Sequence, residues 1–389
     1  MERLYEYMRR QLDVTPTGFT RYSYDRINWD NKMLGLVGPR GVGKTTLLLQ
    51  SILGEKPGKN SLYVSADHIY FATHTLYETA EEFYKGGGQL LVVDEVHKYP
   101  GWSRELKMMY DSLPELKVRF TGSSVLDIRR GEADLSRRAP IYHMQGLSFR
   151  EFLKIRHGID ASVMSLDDIV AQKAELPGVL HPLPLFKEYL RSGYYPFGGA
   201  PDFAIRLEQV VTQTLEVDIP AFCGMSGATG RKLLKLMSIV STLAPFKPNM
   251  TKLASQIGAS RNNIEEYLGL MEKAGMVAQL RSGAKGLGEL GKAEKVFLDN
   301  ANIAYMLGGS GTNVGTVRET FFLNQMRVGH DVRSSPVSDF LVEGLTFEVG
   351  GRNKGRDQLK GADAGYVVSD DIEYGYKNTL PLWAFGLTY

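Results

Sequence analysis

The chain has 389 residues, and its 46 basic and 44 acidic residues leave a formal net charge of +2. This near-balance excludes a protein that coats a polyanion through charge excess alone, and the content of 43% hydrophobic and 23% charged residues excludes a disordered or collagen-like chain. The single cysteine, Cys223, excludes an internal disulfide framework and a cysteine-based zinc site. The sequence has neither an apolar run of about 20 residues nor the apolar centre of a signal peptide, so it predicts no membrane association and a reducing, cytoplasmic location.

Short apolar segments alternate with amphipathic ones over the first 147 residues. The segment QLLVV, residues 89–93, is apolar at every position, which is typical of a strand buried on both faces. Strands that alternate with helices at this spacing predict a parallel sheet with crossover helices, so the expected fold class is α/β. The predicted strands and helices cover residues 33–37, 44–53, 61–64, 89–93, 102–113 and 118–121.

A glycine-rich turn follows the first predicted strand and matches G-x-x-x-x-G-K-[ST] over residues 38–45. Glycines at these positions let successive backbone N–H groups point at phosphate oxygens, and the helix that follows adds the positive end of its dipole. Lys44 is expected to reach the β- and γ-phosphates of ATP, and Thr45 to place its hydroxyl on Mg²⁺. The predicted nucleotide contacts are Gly38, Pro39, Arg40, Gly41, Val42, Gly43, Lys44, Thr45 and Thr46.

Two adjacent carboxylates, Asp94 and Glu95, end the apolar segment 89–93. Alone, an apolar run that ends in Asp-Glu describes a surface turn equally well. Paired with the phosphate loop, it predicts that Asp94 helps Thr45 to hold Mg²⁺ and that Glu95 polarises the attacking water as the catalytic base.

The next predicted strand ends in a polar turn that contains Ser123 and Ser124, and an arginine pair, Arg137 and Arg138, follows shortly after. A serine hydroxyl here would touch the γ-phosphate or orient the water, or else belong to a solvated loop. An arginine would meet the γ-phosphate of a neighbouring subunit in trans, or else form part of an ion-paired surface.

Four segments carry a resemblance to a known family: GPRGVGKTTLLLQ, QLLVVDEVHKYPGWSRELK, RFTGSS and LSRRAPIYHMQGLSFREFL. Their order and spacing resemble the bacterial and archaeal predicted AAA+ ATPases with a C-terminal domain of unknown function, over essentially the full chain. The resemblance implies an ATPase core at 1–147, a helical lid at 148–230, a winged helix at 231–295, and a small α+β domain at 296–389 that resembles a degenerate restriction-endonuclease-like fold.

The resemblance also implies roles for single residues. The implied roles are Lys44 and Thr45 in the phosphate loop, Asp94 and Glu95 as the metal-binding and hydrolytic pair, Ser123 or Ser124 as the polar sensor, Arg138 as the arginine of an L-x-x-R motif, and Tyr22 as a residue that flanks the adenine.

Residues 231–290 hold nine Lys or Arg residues against four Glu, a local net charge of +5. Two helices are predicted here around a turn at Gly258, the second capped by Ser260, and a strand follows, as in a helix-turn-helix with a wing. The charge favours DNA contact through 231–295. Glu265 and Glu266 on the second helix would repel phosphates and favour a packing module that rotates with the lid.

A hairpin is predicted near the end of the chain, with strands at 337–342 and 345–349. It carries Asp339 and Glu348, and a preceding helix at 317–328 carries Glu319, so that three carboxylates could hold Mg²⁺ as in a nuclease. The related nuclease fold places a lysine where this chain has Gly350.

Lys354 is the candidate that could compensate for the missing lysine through the Gly350-Gly351 turn. The departure favours a degenerate structural or DNA-docking domain over an active nuclease.

The sequence therefore predicts Mg²⁺-dependent ATP hydrolysis coupled to a conformational switch that acts on DNA or on a protein partner. The alternative is a DNA-binding or DNA-processing protein in which ATP marks a state, with metal-dependent nuclease activity as one form of it. The predicted partners are ATP, DNA through 231–295, and a second copy of the chain that offers Arg137 or Arg138 in trans.

Overall fold

The computed structural model describes residues 1–55, 60–122, 135, 137–282, 293–351, 359 and 364–389. It divides the chain into two compact units, Met1–Gly146 (unit 1) and Leu147–Tyr389 (unit 2). The four-part division at 147, 230 and 295 is finer than this and stays a prediction.

Unit 1 is built on a five-stranded parallel sheet with the strand order β2-β3-β4-β1-β5. The sheet confirms the predicted α/β fold class. Because every strand runs in the same direction, the residues that follow β1 and β3 lie at one edge of the sheet, where β4 also ends. The strands are β1 Met33–Val37, β2 Ser61–Ser65, β3 Leu90–Asp94, β4 Lys117–Gly122 and β5 Ile141–His143.

Burial on both faces explains why these segments form central strands. Every residue of β1 and of β3 is buried, as their apolar composition predicted. Gly35 in β1 is required by close packing, since a Cβ there would lie 2.6 Å from the ring of Phe120 in β4. The helices around this sheet are α1 Glu2–Asp13, α2 Ser23–Arg26, α3 Lys44–Leu53, α4 Leu76–Lys85 and α5 Trp102–Ser112.

Unit 2 combines helices with a second, mixed sheet. The first six helices are α6 Phe149–His157, α7 Leu166–Val170, α8 Leu183–Ser192, α9 Phe203–Gln213, α10 Ile219–Cys223 and α11 Gly227–Leu243. Later in the described residues come α12 Met250–Ile257, α13 Arg261–Lys273, α14 Ala301–Gly308 and α15 Val314–Met326. The strands are β6 Val277–Arg281, β7 Ala293–Leu298, β8 Val332–Ser334, β9 Phe340–Val342, β10 Leu345–Gly350, β11 Gly365–Ser369 and β12 Thr379–Pro381.

Aromatic side chains from distant parts of the sequence share one core in unit 2. Phe149 of α6 and Phe186 of α8 pack edge to face, with ring centroids 5.5 Å apart, and Phe186 packs in the same way on Phe321 of α15 at 4.8 Å. Gln325 of α15 donates to the buried hydroxyl of Tyr189 at 3.0 Å. The segment predicted as a lid therefore shares its core with the C-terminal helix α15.

The helix-turn-helix pattern at 231–295 has the expected local structure. Gly258 adopts the left-handed conformation (φ 67°) between α12 and α13, and Ser260 caps α13 by accepting from the backbone N–H of Asn263. Strands β6 and β7 form a two-stranded antiparallel sheet after it. Whether this element works as a DNA-reading winged helix stays a prediction.

The predicted C-terminal hairpin is present, and the closing segment differs from its prediction. Strands β9 and β10 pair in antiparallel fashion around Glu343 (φ 52°) and Gly344 (φ 83°). The apolar run LPLWAFGLTY, residues 380–389, predicts a strand, but only its first two residues lie in one, β12, and Leu382–Leu387 forms a 3-10 helix. Every residue of that helix is buried, and a run that is apolar throughout has no period that separates strand from helix.

Within the ranges that the structure describes, no helix has the length and apolar character needed to cross a lipid bilayer.

Candidate nucleotide site

The phosphate loop connects the end of β1 to the start of α3. Gly41 (φ 82°) and Gly43 (φ 98°) adopt left-handed backbone conformations that favour glycine. A Cβ at Gly38 would lie 2.1 Å from the carbonyl oxygen of Met144, so this position has no room for a side chain. The other predicted contacts, Pro39, Arg40, Val42 and Thr46, lie in the same loop and in the first turn of α3.

Lys44 is buried in the loop, with 5% of its surface exposed. Its ammonium donates to the carbonyl oxygens of Gly38 at 3.0 Å and Pro39 at 2.7 Å. Burial lowers the pKa of the Lys44 ammonium to about 8, although the negative charges of Glu95 and Asp94 oppose this shift. The lysine is thus held against the backbone that is expected to surround the phosphates.

Arg21 holds the phosphate loop from outside and was missed by the sequence reasoning. This buried guanidinium donates to the carbonyl oxygen of Val42 at 2.7 Å and to those of Gln145 and Gly146 at 2.8 Å. Nothing in the local sequence distinguishes Arg21 from a surface arginine. Its neighbour Tyr22, predicted to flank the adenine, is half-buried and has the guanidinium of Arg26 5.0 Å from its ring centroid.

Asp94, at the end of β3, accepts hydrogen bonds at both carboxylate oxygens. Oδ2 accepts from the hydroxyl of Thr45 at 2.8 Å and from the phenol of Tyr63 at 2.9 Å. Oδ1 accepts from the hydroxyl of Thr121 and from the backbone N–H of Glu95, the latter at 3.2 Å. Four donors therefore fix the carboxylate in one orientation.

Thr121 links the two carboxylate residues to each other. Its hydroxyl donates to Asp94 and accepts from the backbone N–H of Glu95 at 3.0 Å. The register explains the position, because Val93 of β3 pairs with Phe120 of β4 and the next residues on both strands are Asp94 and Thr121. A polar residue at the end of the strand beside β3 is the signal that could have identified it.

Glu95 adopts a left-handed backbone conformation (φ 54°), which is uncommon for a residue with a side chain and clusters at functional sites. Its carboxylate lies 3.4 Å from Nε2 of His97 and 3.8 Å from the ammonium of Lys98, which also pairs with Asp67 at 2.7 Å. Burial and the nearby positive charges lower the pKa of the His97 imidazole to about 3, so His97 is neutral near pH 7.

The residues of the site fit Mg²⁺ and a nucleotide phosphate chain. The loop excludes side chains at Gly38, and Lys44 supplies a cation beside it. The Thr45 hydroxyl and the Asp94 carboxylate are oxygen ligands of the kind that Mg²⁺ prefers, and this ion usually takes one or two protein ligands together with substrate phosphates. Consistent with this pattern, the described residues contain no group of three or more His, Cys, Asp or Glu that could hold a metal ion.

The remaining predictions for the N-terminal site concern two serines and two arginines. Ser123 and Ser124 lie outside the described residues. Arg138 forms a two-fold hydrogen-bonded pair with Asp111 of its own chain, at 2.9 and 3.0 Å, and Arg137 is exposed. A part-exposed pair of this kind contributes little to stability. The contribution of either arginine to a neighbouring subunit stays a prediction.

Two of the three predicted C-terminal carboxylates contact a lysine that the sequence reasoning did not consider. Lys295 of β7 donates to Asp339 at 3.0 Å and lies 3.6 Å from Glu319 of α15. Glu348 is fully buried and accepts from the hydroxyl of Ser338. Lys354, offered above as the compensating lysine, lies outside the described residues.

Comparisons with known proteins agree with the geometry of unit 1. The model of the AAA domain family matches residues 30–153, and that of a domain of unknown function (DUF8612) matches residues 184–313. A comparison with curated proteins finds no match.

Two solved structures are similar at a low level. The Walker-type ATPase of Pyrococcus abyssi is 13% identical, with 76% of this chain and 99% of that chain covered and a TM-score of 0.47. The S. cerevisiae Hsp104–ADP complex is 18% identical, with 69% of this chain and 41% of that chain covered and a TM-score of 0.27. Scores this low carry no argument about the activity or assembly of this chain.

The matched interval 30–153 contains Lys44, Thr45 and Asp94 together with all of their hydrogen-bond partners described above. The domain match and the hydrogen-bonded site therefore concern the same part of the sequence. The chain therefore carries a P-loop domain of the AAA family at residues 30–153, and a domain of unknown function follows it at residues 184–313.

Proposed function

We propose that the chain is a Mg²⁺-dependent ATPase whose nucleotide site lies in unit 1. The observation that carries this proposal is the hydrogen bond of 2.8 Å between the hydroxyl of Thr45 and Oδ2 of Asp94. It joins the start of α3 to the end of β3, so that the phosphate loop and the strand carboxylate form one site. While Thr45 donates its proton to Asp94, the lone pairs of its oxygen remain for the cation.

Binding depends on the backbone of the loop and on Lys44. The glycines at 38, 41 and 43 supply the backbone freedom and close approach that phosphate recognition requires. The Lys44 ammonium exchanges its carbonyl partners for phosphate oxygens when the nucleotide binds, and the negative charge of the phosphates favours its charged form.

Hydrolysis is assigned to attack of a water molecule on the γ-phosphorus. The water oxygen forms a bond to phosphorus, the water proton passes to the carboxylate of Glu95, and the bond to the bridging oxygen breaks with its electron pair on the β-phosphate of ADP. Bound Mg²⁺ supplies positive charge that neutralises the phosphate oxygens. Thr121 holds the backbone of Glu95 against Asp94, which maintains the spacing between the base and the metal-binding residue.

We further propose that hydrolysis drives a conformational change that acts on DNA or on a protein partner. The contacts at 231–295 do not favour DNA over a protein partner. The helices α12 and α13 and the strands β6 and β7 suit a winged helix. Three basic groups of this region are nevertheless paired with glutamates, since Lys247, Arg261 and Arg281 contact Glu294, Glu265 and Glu272.

Nuclease activity has no specific support among the described residues. Lys295 lies between Asp339 and Glu319, where a metal ion would have to bind. We therefore do not carry this activity forward.

Phosphate release by purified protein tests the ATPase assignment. Glu95→Gln is expected to bind ATP as the wild type does and to hydrolyse it about 10²–10⁴-fold more slowly, since it loses the proton acceptor. Lys44→Ala is expected to lose nucleotide binding itself. The matched control is Glu115→Gln, an exposed carboxylate of unit 1.

Mg²⁺-dependent hydrolysis at the wild-type rate by Glu95→Gln would remove the catalytic role of Glu95. ATP binding that persists at wild-type affinity in Lys44→Ala would overturn the assignment of the phosphate loop.

A further inference from the structure

Tyr63 lies in the middle of β2, a strand that carries no part of the phosphate loop or of the carboxylate pair. Its side chain is almost completely buried, with 2% of its surface exposed. Its hydroxyl nevertheless reaches Asp94, to which it donates at 2.9 Å. Ser65 of β2 pairs with Asp94 of β3, and this register places the Tyr63 hydroxyl within hydrogen-bonding distance of the Asp94 carboxylate.

Tyr63 and Thr45 share one oxygen of Asp94. A carboxylate oxygen has about two lone-pair sites, and on Oδ2 both are occupied by these hydroxyl donors. The orientation of Asp94 toward Thr45 therefore depends on the phenol as well as on the threonine. The phenol is the donor in this contact, since a carboxylate oxygen can only accept.

Helix α1 packs against Tyr63 through two of its residues. The ring of Tyr7 stacks on that of Tyr63, with centroids 5.9 Å apart and planes 20° apart. The backbone N–H of Tyr63 also points at the sulfur of Met8 at 3.2 Å. The phenol is thereby held in place by groups that take no part in the expected chemistry.

We propose that Tyr63 is a positioning residue for the magnesium site: it orients Asp94 so that this carboxylate keeps its hydrogen bond to Thr45 and holds the threonine hydroxyl toward the ion. This inference rests on the proposed function, since it concerns the metal that would accompany ATP. It adds a strand, β2, and a residue type, tyrosine, that neither the loop pattern nor the carboxylate pair contains.

The role predicts a selective effect on metal-linked binding. Removing the phenol leaves the phosphate loop and Lys44 intact, so nucleotide binding without metal is preserved. One lone pair of a buried carboxylate loses its donor, and Asp94 is then held toward Thr45 by three donors instead of four. A hydrogen bond to a charged group of this kind corresponds to about a tenfold change in an equilibrium constant.

Calorimetric titration with ADP, in EDTA and in saturating Mg²⁺, measures this effect without any dependence on hydrolysis. Tyr63→Phe is expected to keep the wild-type Kd in EDTA and to reduce the gain in affinity from Mg²⁺ by about tenfold. The matched control is Tyr99→Phe, which removes a phenol that donates to Glu105 at 3.0 Å in the same unit. It is expected to keep both Kd values.

Two results would overturn the positioning role. The first is a gain from Mg²⁺ that is unchanged in Tyr63→Phe. The second is a Kd for ADP that rises equally in EDTA and in Mg²⁺, which would show that Tyr63 has a packing role only. If Tyr63→Phe fails to fold, Tyr7→Leu removes the ring that stacks on Tyr63 instead, and it is expected to reduce the gain about two- to threefold. An unchanged gain there would equally reject the proposal.

The wild type separates this inference from the proposed function. If wild-type protein binds ADP no more tightly with Mg²⁺ than with EDTA, the metal-dependent ATPase proposal fails. If it shows the gain and Tyr63→Phe shows the same gain, only the role of Tyr63 fails.

Discussion

Lys44 is a buried cation whose two described hydrogen bonds go to carbonyl oxygens of its own loop, at Gly38 and Pro39. Carbonyl dipoles compensate a buried charge only in part, so the ammonium keeps a desolvation penalty in the nucleotide-free protein. The phosphate chain would remove that penalty. A residue that destabilises the free protein is thus well placed to bind an anion strongly.

Replacing Lys44 by methionine is expected to stabilise the nucleotide-free protein. The pKa of Lys44 is about 8 when folded and 10.5 unperturbed, so the unfolded chain binds more protons between these values and the free energy of unfolding of the wild type rises with pH across this window. The penalty is fully present below pH 8 and corresponds to about 3 kcal/mol.

Urea unfolding of both proteins near pH 7 and near pH 10 checks this prediction. The variant should be more stable near pH 7, with a smaller difference near pH 10. A variant less stable than the wild type near pH 7 would contradict it, and would mean that Lys44 stabilises the loop.

At the scale of elements, strand β7 of the two-stranded sheet carries a lysine that contacts acidic side chains from two other elements of unit 2. Lys295 of β7 contacts Asp339, which directly precedes β9, and Glu319 in α15. The three side chains are between 15% and 30% exposed, so water screens the pair only in part. The lysine therefore compensates two carboxylates contributed by different elements.

Replacing Lys295 by methionine is expected to destabilise the protein by about 1–3 kcal/mol, because it leaves Asp339 and Glu319 without their cation in a half-buried place. The matched control is Lys247→Met, whose lysine is 71% exposed and pairs with Glu294 at the surface. That variant is expected to change stability by less than about 0.5 kcal/mol. Chemical unfolding of the two variants measures the difference, and equal stabilities would contradict the compensating role.

At the scale of the whole molecule, the chain forms two compact units, and every described residue of the nucleotide site lies in unit 1. A ligand that binds the folded state raises its stability in proportion to the logarithm of its concentration. The nucleotide is therefore expected to stabilise unit 1. Two of the three tryptophans, Trp29 and Trp102, report on this unit, and Trp383 lies in unit 2.

A Trp383→Phe variant restricts the tryptophan fluorescence to unit 1. A non-hydrolysable ATP analogue with Mg²⁺, at one hundred times its Kd, is expected to raise the free energy of unfolding that this signal reports by about 2.7 kcal/mol. The same variant with Lys44→Met added should show no rise. An equal rise in both proteins would place the nucleotide outside the phosphate loop.

Local patterns in the sequence predict the sheet of unit 1 and the phosphate loop within it. The strand at 33–37 and the helix at 44–53 have the predicted bounds, and the strand at 89–93 is shifted by one residue. Each of these depends on local composition, since an apolar run, a glycine-rich turn and a helix start are decided by neighbours in the sequence. Local composition fails for the closing segment, because its uninterrupted apolar run predicts a strand and forms a 3-10 helix.

The sequence by itself determined that a phosphate loop follows β1 and that a carboxylate pair follows β3. Only the tertiary structure decided which other side chains meet them: Arg21 on the loop carbonyls, Tyr63 and Thr121 on Asp94, and, in unit 2, Lys295 between Asp339 and Glu319. The phosphate loop consists of consecutive residues, whose spacing the backbone fixes. The other contacts join residues far apart in the sequence, and they arise from strand register and from the need of each buried polar group for a partner.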